Sequence, residues 1–490
     1  MSERTLESLI TNISKGLSQG QLHPVHSSVV EQIIRSALTN LGSLCKSARS
    51  EQAEIRMRSG EFVGEHGLLI GATISGYRLI EVLRRSSASG LVIGRTAREE
   101  DFRGFLRFGI ELPPGAPLSY EEAKARLLAC DCRMIQLVRT DEKVTWFQSE
   151  TSSRTWSEAG IELGPSVGMF QSMFENVEDS MRLAASGDSI DINDARTISE
   201  QMRQTSDTGF DNLFQLANYS NYDSYTVGHS IRVAMLAVYV ASRLNVPPEQ
   251  LTEIGAAGLM HDVGKGRIPH EILYKPARLD EEERRIISKH PALGAEILIE
   301  AEDPSPCALG AAWGHHLRHD GAGYPAVSRW FERTRTTSLI HVCDVFEALT
   351  AERPYKPAMT PGAAYRIMFG QEGTYDPGVL RAFARTMGLY PPGSFVRLSD
   401  GRIGRVYSPG EAIDRPAVRL LPGGPLVDLE QPEWQHLSVS ALTTDSEALR
   451  ELEQDEPPAP LPSQSQTEEA APTPEELHSH TEHDDDCRLC

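Results

Sequence analysis

The sequence predicts a multidomain chain built around an all-α domain, with an α/β module before it and a small β-rich unit and acidic tail after it. Three observations carry this. Helical periodicity dominates from residue 166 to 390, whereas helical and strand-like patterns alternate before it. After Pro391, β-rich runs flank the turn Asp400-Gly401. Beyond Leu442, Pro, Glu, Gln and Ser take over, and the apolar content is too low to offset the entropy of ordering. The expected boundaries are 1–165, 166–390, 391–444 and 445–490. A chain of 490 residues has room for about three ordinary domains.

In the first module, residues 23–47 read as a helix because Val30, Ile33, Ile34, Ala37, Leu38 and Leu41 recur at helical spacing. Residues 61–77 are Gly-spaced and rich in Leu, Ile, Val and Thr, which predicts short strands joined by turns. A helix over 77–85, a strand over 90–95 and a helix over 96–108 follow. Residues 132–140 and 143–148 resemble a hairpin. Nothing here has catalytic spacing, so the module is expected to sense, dock or dimerise. In the central region, helices are predicted over 177–185, 191–203, 212–217, 226–244 and 253–262. Others follow over 280–289, 292–301, 305–316, 339–350, 361–368 and 377–387. The β unit takes its strands from 395–408, 417–422 and 427–429. The tail is expected to be disordered.

Charge excludes some functions. Lys and Arg number 48 against 69 Asp and Glu, a net charge of -21. From Asp445 onward, 14 acidic and 2 basic residues leave the tail at -12 and the remainder at -9. Such a chain lacks the basic face that a polymeric nucleic acid requires. No apolar run approaches the roughly 18 residues of a membrane span, and the N-terminus lacks a signal-peptide core. Seven scattered cysteines, an odd number, fit a reducing compartment. The expectation is a cytoplasmic protein.

The chemistry gathers in the helical region. His229, His261-Asp262, His290, His315-His316 and Asp344 lie in or beside apolar helices. Burying so many imidazoles and carboxylates is costly unless they are hydrogen-bonded or ligate a metal. Neighbours on a helix diverge by about 100°, so the doublets suit two metal ions better than one. Asp262 would bridge them. His315 and His316 would face one ion each, or one ion and the substrate. Imidazole and carboxylate donors suit Fe, Mn or Zn, and the lack of thiolates favours Fe or Mn. Two ions about 3.5–4 Å apart can activate water and hold both oxygens of an in-line phosphoryl displacement. This pattern points to phosphoester hydrolysis.

HDVGK (261–265) resembles the signature of the HD phosphohydrolase superfamily, and HHLRHDGAGYP (315–325) resembles the extended HD-GYP motif, HHExxDGxGYP. YTVGHSIRVA (225–234), IPHEIL (268–273), KHPALGAEIL (289–298) and DVFEALTAERPYKPAM (344–359) match in order and spacing over about residues 170–390. The resemblance implies an HD-GYP phosphodiesterase that opens cyclic di-GMP, a bacterial second messenger, to pGpG or GMP. It also implies metal ligation by His229, His261, Asp262, His290, His315, His316 and Asp344, with two divalent ions. Catalysis falls to Asp262 and Lys265, the latter contacting the scissile phosphate. Arg353 and Lys356 match contacts to the dinucleotide. Gly321 and Gly323 permit a tight turn, and Pro325 keeps Tyr324 extended, so Gly323 and Tyr324 are expected to meet a base.

Several positions depart from the family. Leu317 replaces the Glu of HHE, which matters if that Glu orients a ligating His. Glu347 replaces an Asp, a mild change. Tyr225 stands where three-metal members carry a Glu, which favours two ions. Residues 326–337 lack the usual Gly and Ile-Pro pattern. These departures keep two alternatives open: a weakly catalytic cyclic dinucleotide receptor or protein-docking module, and a hydrolase of another cyclic dinucleotide. A homodimer or a signalling partner would use the N-terminal module or the GYP loop. The N-terminal pattern over 60–108 is similar to a module that precedes some HD-GYP domains. His478, His480, His483, Cys487 and Cys490 are expected to belong to a solvated tail rather than a metal site.

Overall fold

The structure is a computed structural model that describes residues 2–22, 24–58, 60–65, 69–112, 117–139, 164–205, 213–214, 225–273, 275, 277–326, 333–351 and 359–443. It has an N-terminal α/β module, a central all-α region and a C-terminal sheet. The chain starts with α1 (Ser2–Leu22) and α2 (Ser28–Ala48), which pack together. Ser27 caps α2 by accepting from Val30 N–H, so the helix starts there rather than at residue 23. Next come β1 (Gln52–Arg58), β2 (Glu61–Val63), α3 (Ile70–Ser75), α4 (Tyr77–Arg85) and β3 (Ala88–Gly94). Then follow α5 (Glu99–Ile110), α6 (Tyr120–Ala129) and β4 (Ile135–Arg139).

The strands form one antiparallel sheet in the order β2-β1-β3-β4. Ile55, Leu91 and Ile93 share a core with Leu9, Leu17, Ile34, Leu41, Phe102 and Phe105. One expectation needs correction. Residues 61–77 hold only one short strand; the rest of the described part turns helical at α3. There Thr73 Oγ1 accepts the Phe62 N–H, so a side chain replaces the ladder bond that a longer strand would make. The strand near 132–140 pairs with β3, and residues 143–148 of the expected hairpin lie outside the described residues.

The helical region comprises α7 (Gly164–Ser186), α8 (Ile192–Thr205), α9 (Tyr225–Arg243), α10 (Pro248–Met260) and a 3₁₀ turn over Val263–Arg267. It continues with α11 (His270–Leu273), α12 (Glu281–Ile287), α13 (His290–Ile299), α14 (Pro306–Gly314), α15 (Arg335–Thr350), α16 (Pro361–Gly370) and α17 (Pro377–Met387). In α9, Val233, Ala234, Ala237, Val238, Val240 and Ala241 are all fully buried. A helix that is apolar all round belongs in a core, and α7, α8, α10, α15 and α17 pack against it. Most of the expected helix over 212–217 lies outside the described residues. Among the described residues, no helix is long and apolar enough to cross a membrane.

Small residues let the backbones close up around the later site. A Cβ on Gly258 would meet Ala234 Cα at 2.5 Å, so α9 and α10 touch there. A Cβ on Gly264 would meet the His290 carbonyl oxygen at 2.0 Å and Gly294 N at 2.4 Å. Gly264 therefore seats the 3₁₀ turn against α13. Gly264→Ala is expected to cost about 1–3 kcal/mol through overpacking against backbone. A urea midpoint equal to wild type would show that the turn can shift freely.

The C-terminal unit is an antiparallel sheet of β5 (Phe395–Leu398), β6 (Ile403–Ser408), β7 (Ala417–Leu420), β8 (Leu426–Asp428) and β9 (Val439–Thr443). Its order is β8-β7-β6-β5-β9. Gly401 turns the β5–β6 hairpin with φ of 91°. Phe395, Ile403 and Leu421 join the core of the helical region, so the sheet docks on it. The tail from residue 444 lies outside the described residues.

Candidate metal centre

Five of the seven candidate ligands come from helix ends or from turns next to them, which is how distant parts of the chain meet. His261 follows α10, Asp262 precedes the 3₁₀ turn, His290 starts α13, and His315 and His316 follow α14. His229 lies in the second turn of α9, and Asp344 lies within α15. The structure brings all seven together. His290, His315 and His316 form one group and His229, His261 and Asp344 a second; His261, Asp262 and His315 connect them. Within each group, one donor atom per residue lies within 4.8 Å of the others. All but His316 are buried.

Backbone geometry sets the tautomers. The Nδ1 of His261 lies 2.7 Å from the Gly258 carbonyl, and that of His290 lies 2.7 Å from the Ile287 carbonyl. The Nδ1 of His315 lies 2.9 Å from the Ala311 carbonyl. A carbonyl only accepts, so each Nδ1 carries the proton and each Nε2 lone pair faces inward. The Nε2 atoms of His290 and His315 then oppose each other at 3.1 Å. Two lone pairs at that distance repel unless a cation or a proton lies between them.

Asp262 sits at the middle. Its Oδ1 lies 3.2 Å from His290 Nε2 and 3.6 Å from His315 Nε2. Its Oδ2 lies 3.4 Å from His261 Nε2 and 3.6 Å from His229 Nε2. The two oxygens thus face different pairs of imidazoles. Asp262 Oδ1 and His261 Nε2 are buried without a hydrogen-bond partner; His290 Nε2 is close to Oδ1 but turns a lone pair, not a proton, toward it. Such orphans cost about 1–3 kcal/mol each, and a cation beside them would satisfy both. The donor set therefore fits a pair of divalent ions: two closely spaced His/Asp clusters are able to chelate them.

Electrostatics agree with ligand protonation states. Burial pushes the pKa values of His261, His290 and His316 down and keeps them neutral. Burial opposes charge on Asp262 and Asp344, but neighbouring groups win: Lys265 and His261 hold Asp262 well below the usual range, and His229 does so for Asp344. His229 differs. Burial would lower its pKa, yet Glu347 and Asp344 outweigh that and raise it to about 9. A cation at its Nε2 would displace that proton.

Around this set lie residues whose part the sequence did not disclose. Glu347 is buried and hydrogen-bonds His229 Nδ1 with one oxygen and Arg232 with the other. It is more than a mild change: it is the partner that aims the His229 ring. The signals were its position three residues after Asp344 and an Arg232 set among the apolar residues of a helix. His341 is buried too, and its Nδ1 donates to the His315 carbonyl. Leu317 is buried and presents no carboxylate to the cluster.

The remaining candidates divide. Lys265 donates to Asp262 Oδ2 from a partly exposed position. Gly323 has φ of 93°, and a Cβ there would meet the His316 carbonyl oxygen at 2.2 Å. That turn lays Tyr324 over His316 in a stacked pair with ring centroids 4.6 Å apart. Arg353 and Lys356 lie outside the described residues, as does the Tyr225 side chain.

Residues 210–379 match the family model of the HD domain. A cyclic di-GMP phosphodiesterase of Pseudomonas aeruginosa is 36% identical over 42% of this chain and 50% of its own length. The helical region belongs to the HD-GYP family of HD-type phosphohydrolases. A 3′3′-cGAMP-specific phosphodiesterase of Vibrio cholerae is also 36% identical to this HD-GYP region, over 34% of the chain and 36% of its own. A cyclic di-GMP phosphodiesterase response regulator of Xanthomonas campestris is 34% identical over 38% and 50%. The chain thus spans half or less of the length of these relatives.

Proposed function

We propose that the chain is a metal-dependent phosphodiesterase that hydrolyses cyclic di-GMP to pGpG, GMP or both. The observation that carries this is Asp262, a buried carboxylate whose two oxygens face separate imidazole pairs. Under this reading His229, His261, Asp262, His290, His315, His316 and Asp344 hold two ions, with iron or manganese favoured by the thiolate-free donor set. When bound, the ions would acidify a water and draw charge from the phosphoryl oxygens.

The chain's own groups do the rest. Lys265 donates to Asp262 and holds its carboxylate in that orientation, and its ammonium would meet a non-bridging phosphate oxygen. Tyr324 and Gly323 form the wall on the His316 side, where a base would stack against the tyrosine ring. Arg353 and Lys356 would bind the second half of the dinucleotide. The domain boundaries at 165, 390 and 444 belong to the same proposal, with the N-terminal module as the regulatory or dimerising part and the cytoplasm as its location.

A second reading changes only the substrate. Relatives named for cyclic di-GMP and for 3′3′-cGAMP reach the same identity to this region. Metal analysis of the purified chain, followed by product chromatography on cyclic di-GMP and 3′3′-cGAMP, separates the two. Two equivalents of metal and faster opening of cyclic di-GMP are expected. Faster opening of 3′3′-cGAMP selects the second reading, and metal loading without any product rejects both.

A further inference from the structure

Between the N-terminal module and the helical region lies a cavity of about 650 Å³, a size suited to a small ligand. None of the seven candidate metal ligands lines it. Its cationic side chains come from both parts of the chain: Lys15 of α1, Arg78 of α4, Arg182 of α7, and Lys265 and Arg267 of the 3₁₀ turn. Among the described residues, Glu178 is the one carboxylate in the lining. Burial pushes its carboxyl up, and it is engaged by Tyr77 and by Ser18 at 3.3 Å, so it offers little free negative charge.

The acids that pair with these cations, Asp179 and Glu81 with Arg78, Asp179 with Arg182, Glu296 with Arg267 and Asp262 with Lys265, stand outside the lining. The wall that faces the space is therefore cationic, within a chain of net charge -21. Phe174, Met181 and Ile268 supply an apolar part. Cations beside an apolar wall match a phosphate joined to a flat base.

We propose that this cavity binds a phosphate-bearing ligand of the nucleotide class and that its occupancy is transmitted to the metal centre through Lys265. The transmission has a structural route. Lys265 lines the cavity and donates to Asp262. The turn that carries it is wedged: a Cβ on Gly266 would meet the Met181 carbonyl oxygen of α7 at 2.4 Å, and Gly264 sits equally close to α13. A ligand that draws on Lys265, or spreads α7 from the turn, acts on the residue next to Asp262 in space. The site itself is independent of the proposed phosphodiesterase reading; only the effect on turnover rests on it.

The test is calorimetric titration of the metal-loaded full chain with 5′-GMP and 5′-AMP. Wild type is compared with Lys15→Glu, Arg182→Glu and His316→Ala. One equivalent of nucleotide is expected to bind to wild type and to His316→Ala within twofold of each other, and at least tenfold more weakly to the two charge reversals. Thermal melts, with Lys15→Met as a milder variant, check that the loss is local. Lys15→Glu should turn over cyclic dinucleotide like wild type, and saturating 5′-GMP should alter turnover at least threefold in wild type alone. Failure of both nucleotides to bind wild type overturns the proposal. So does binding that survives Lys15→Glu but disappears in His316→Ala, because the nucleotide then occupies the metal centre. Calorimetry that follows the expected pattern in a chain without hydrolytic activity would keep this site and remove the phosphodiesterase reading.

Discussion

Asp262→Ala is expected to lower cyclic dinucleotide turnover on the order of 10³-fold or more and to release bound metal. The size follows from position rather than from charge alone. One carboxylate faces four imidazoles at 3.2 to 3.6 Å and also holds the Lys265 ammonium. Its removal leaves two sets of inward lone pairs with no anion between them, so two cations would have to approach each other unscreened. It also frees Lys265, which loses its fixed orientation. Asp262→Asn is the sharper control: it keeps the shape and one acceptor oxygen but removes the negative charge. It should retain part of the metal and little turnover. Elemental analysis and product chromatography read the two effects separately. Wild-type metal content with wild-type turnover in the alanine variant would sink the bimetallic reading.

What was legible in the sequence divides along a physical line. Periodicity reports burial, so most helices of the central region were legible within a few residues, and α17 to the residue; α7 starts at Gly164, well before the expected 177, and the short α11 was not expected. The Asp400-Gly401 turn was legible because few dipeptides suit that backbone. In the first module the same signals served for α4, β3 and α5 but failed at α1 and over 70–75. The α1 helix buries Leu9, Ile10, Ile13 and Leu17 among Ser, Thr, Asn and Gly, so its apolar stripe is thin. Residues 70–75 are as β-prone as they are helical, and the Thr73 bond to Phe62 N–H decides for helix.

At the site, residue types were legible and orientation was not. The doublets His261-Asp262 and His315-His316 announce themselves. The carbonyls of Gly258, Ile287 and Ala311 that fix the rings belong to the backbone and leave no trace in residue identity. The position of Leu317 made a missing carboxylate conspicuous, while the carboxylate that does orient a ring, Glu347, resembled a conservative replacement.

Glu347 carries the second large effect. Glu347→Ala is expected to destabilise the chelated protein by about 3–5 kcal/mol, because it removes the buried carboxylate that pairs with the Arg232 guanidinium and accepts from His229 Nδ1. Glu347→Gln, which still accepts from one partner, should cost about half as much. The pH dependence is signed. Burial opposes the Glu347 charge, but His229 and Arg232 lower its pKa to about 2, below its usual 4.5. Its contribution is complete above 4.5 and disappears as pH falls through about 2. The pKa of His229 is raised from 6.5 to about 9, so its contribution is complete below 6.5 and is lost as pH rises through about 9. In chelated protein the gap between wild type and Glu347→Ala should therefore be widest between pH 4.5 and 6.5 and narrow toward both extremes. Saturating metal replaces the His229 proton and should flatten the alkaline side, while the variant binds metal about 10–100-fold more weakly. Urea titrations across pH, with and without metal, read all of this. A gap of equal size at pH 5.5 and pH 10 in chelated protein would mean that Glu347 acts through Arg232 alone, and that the His229 ring is aimed by something else.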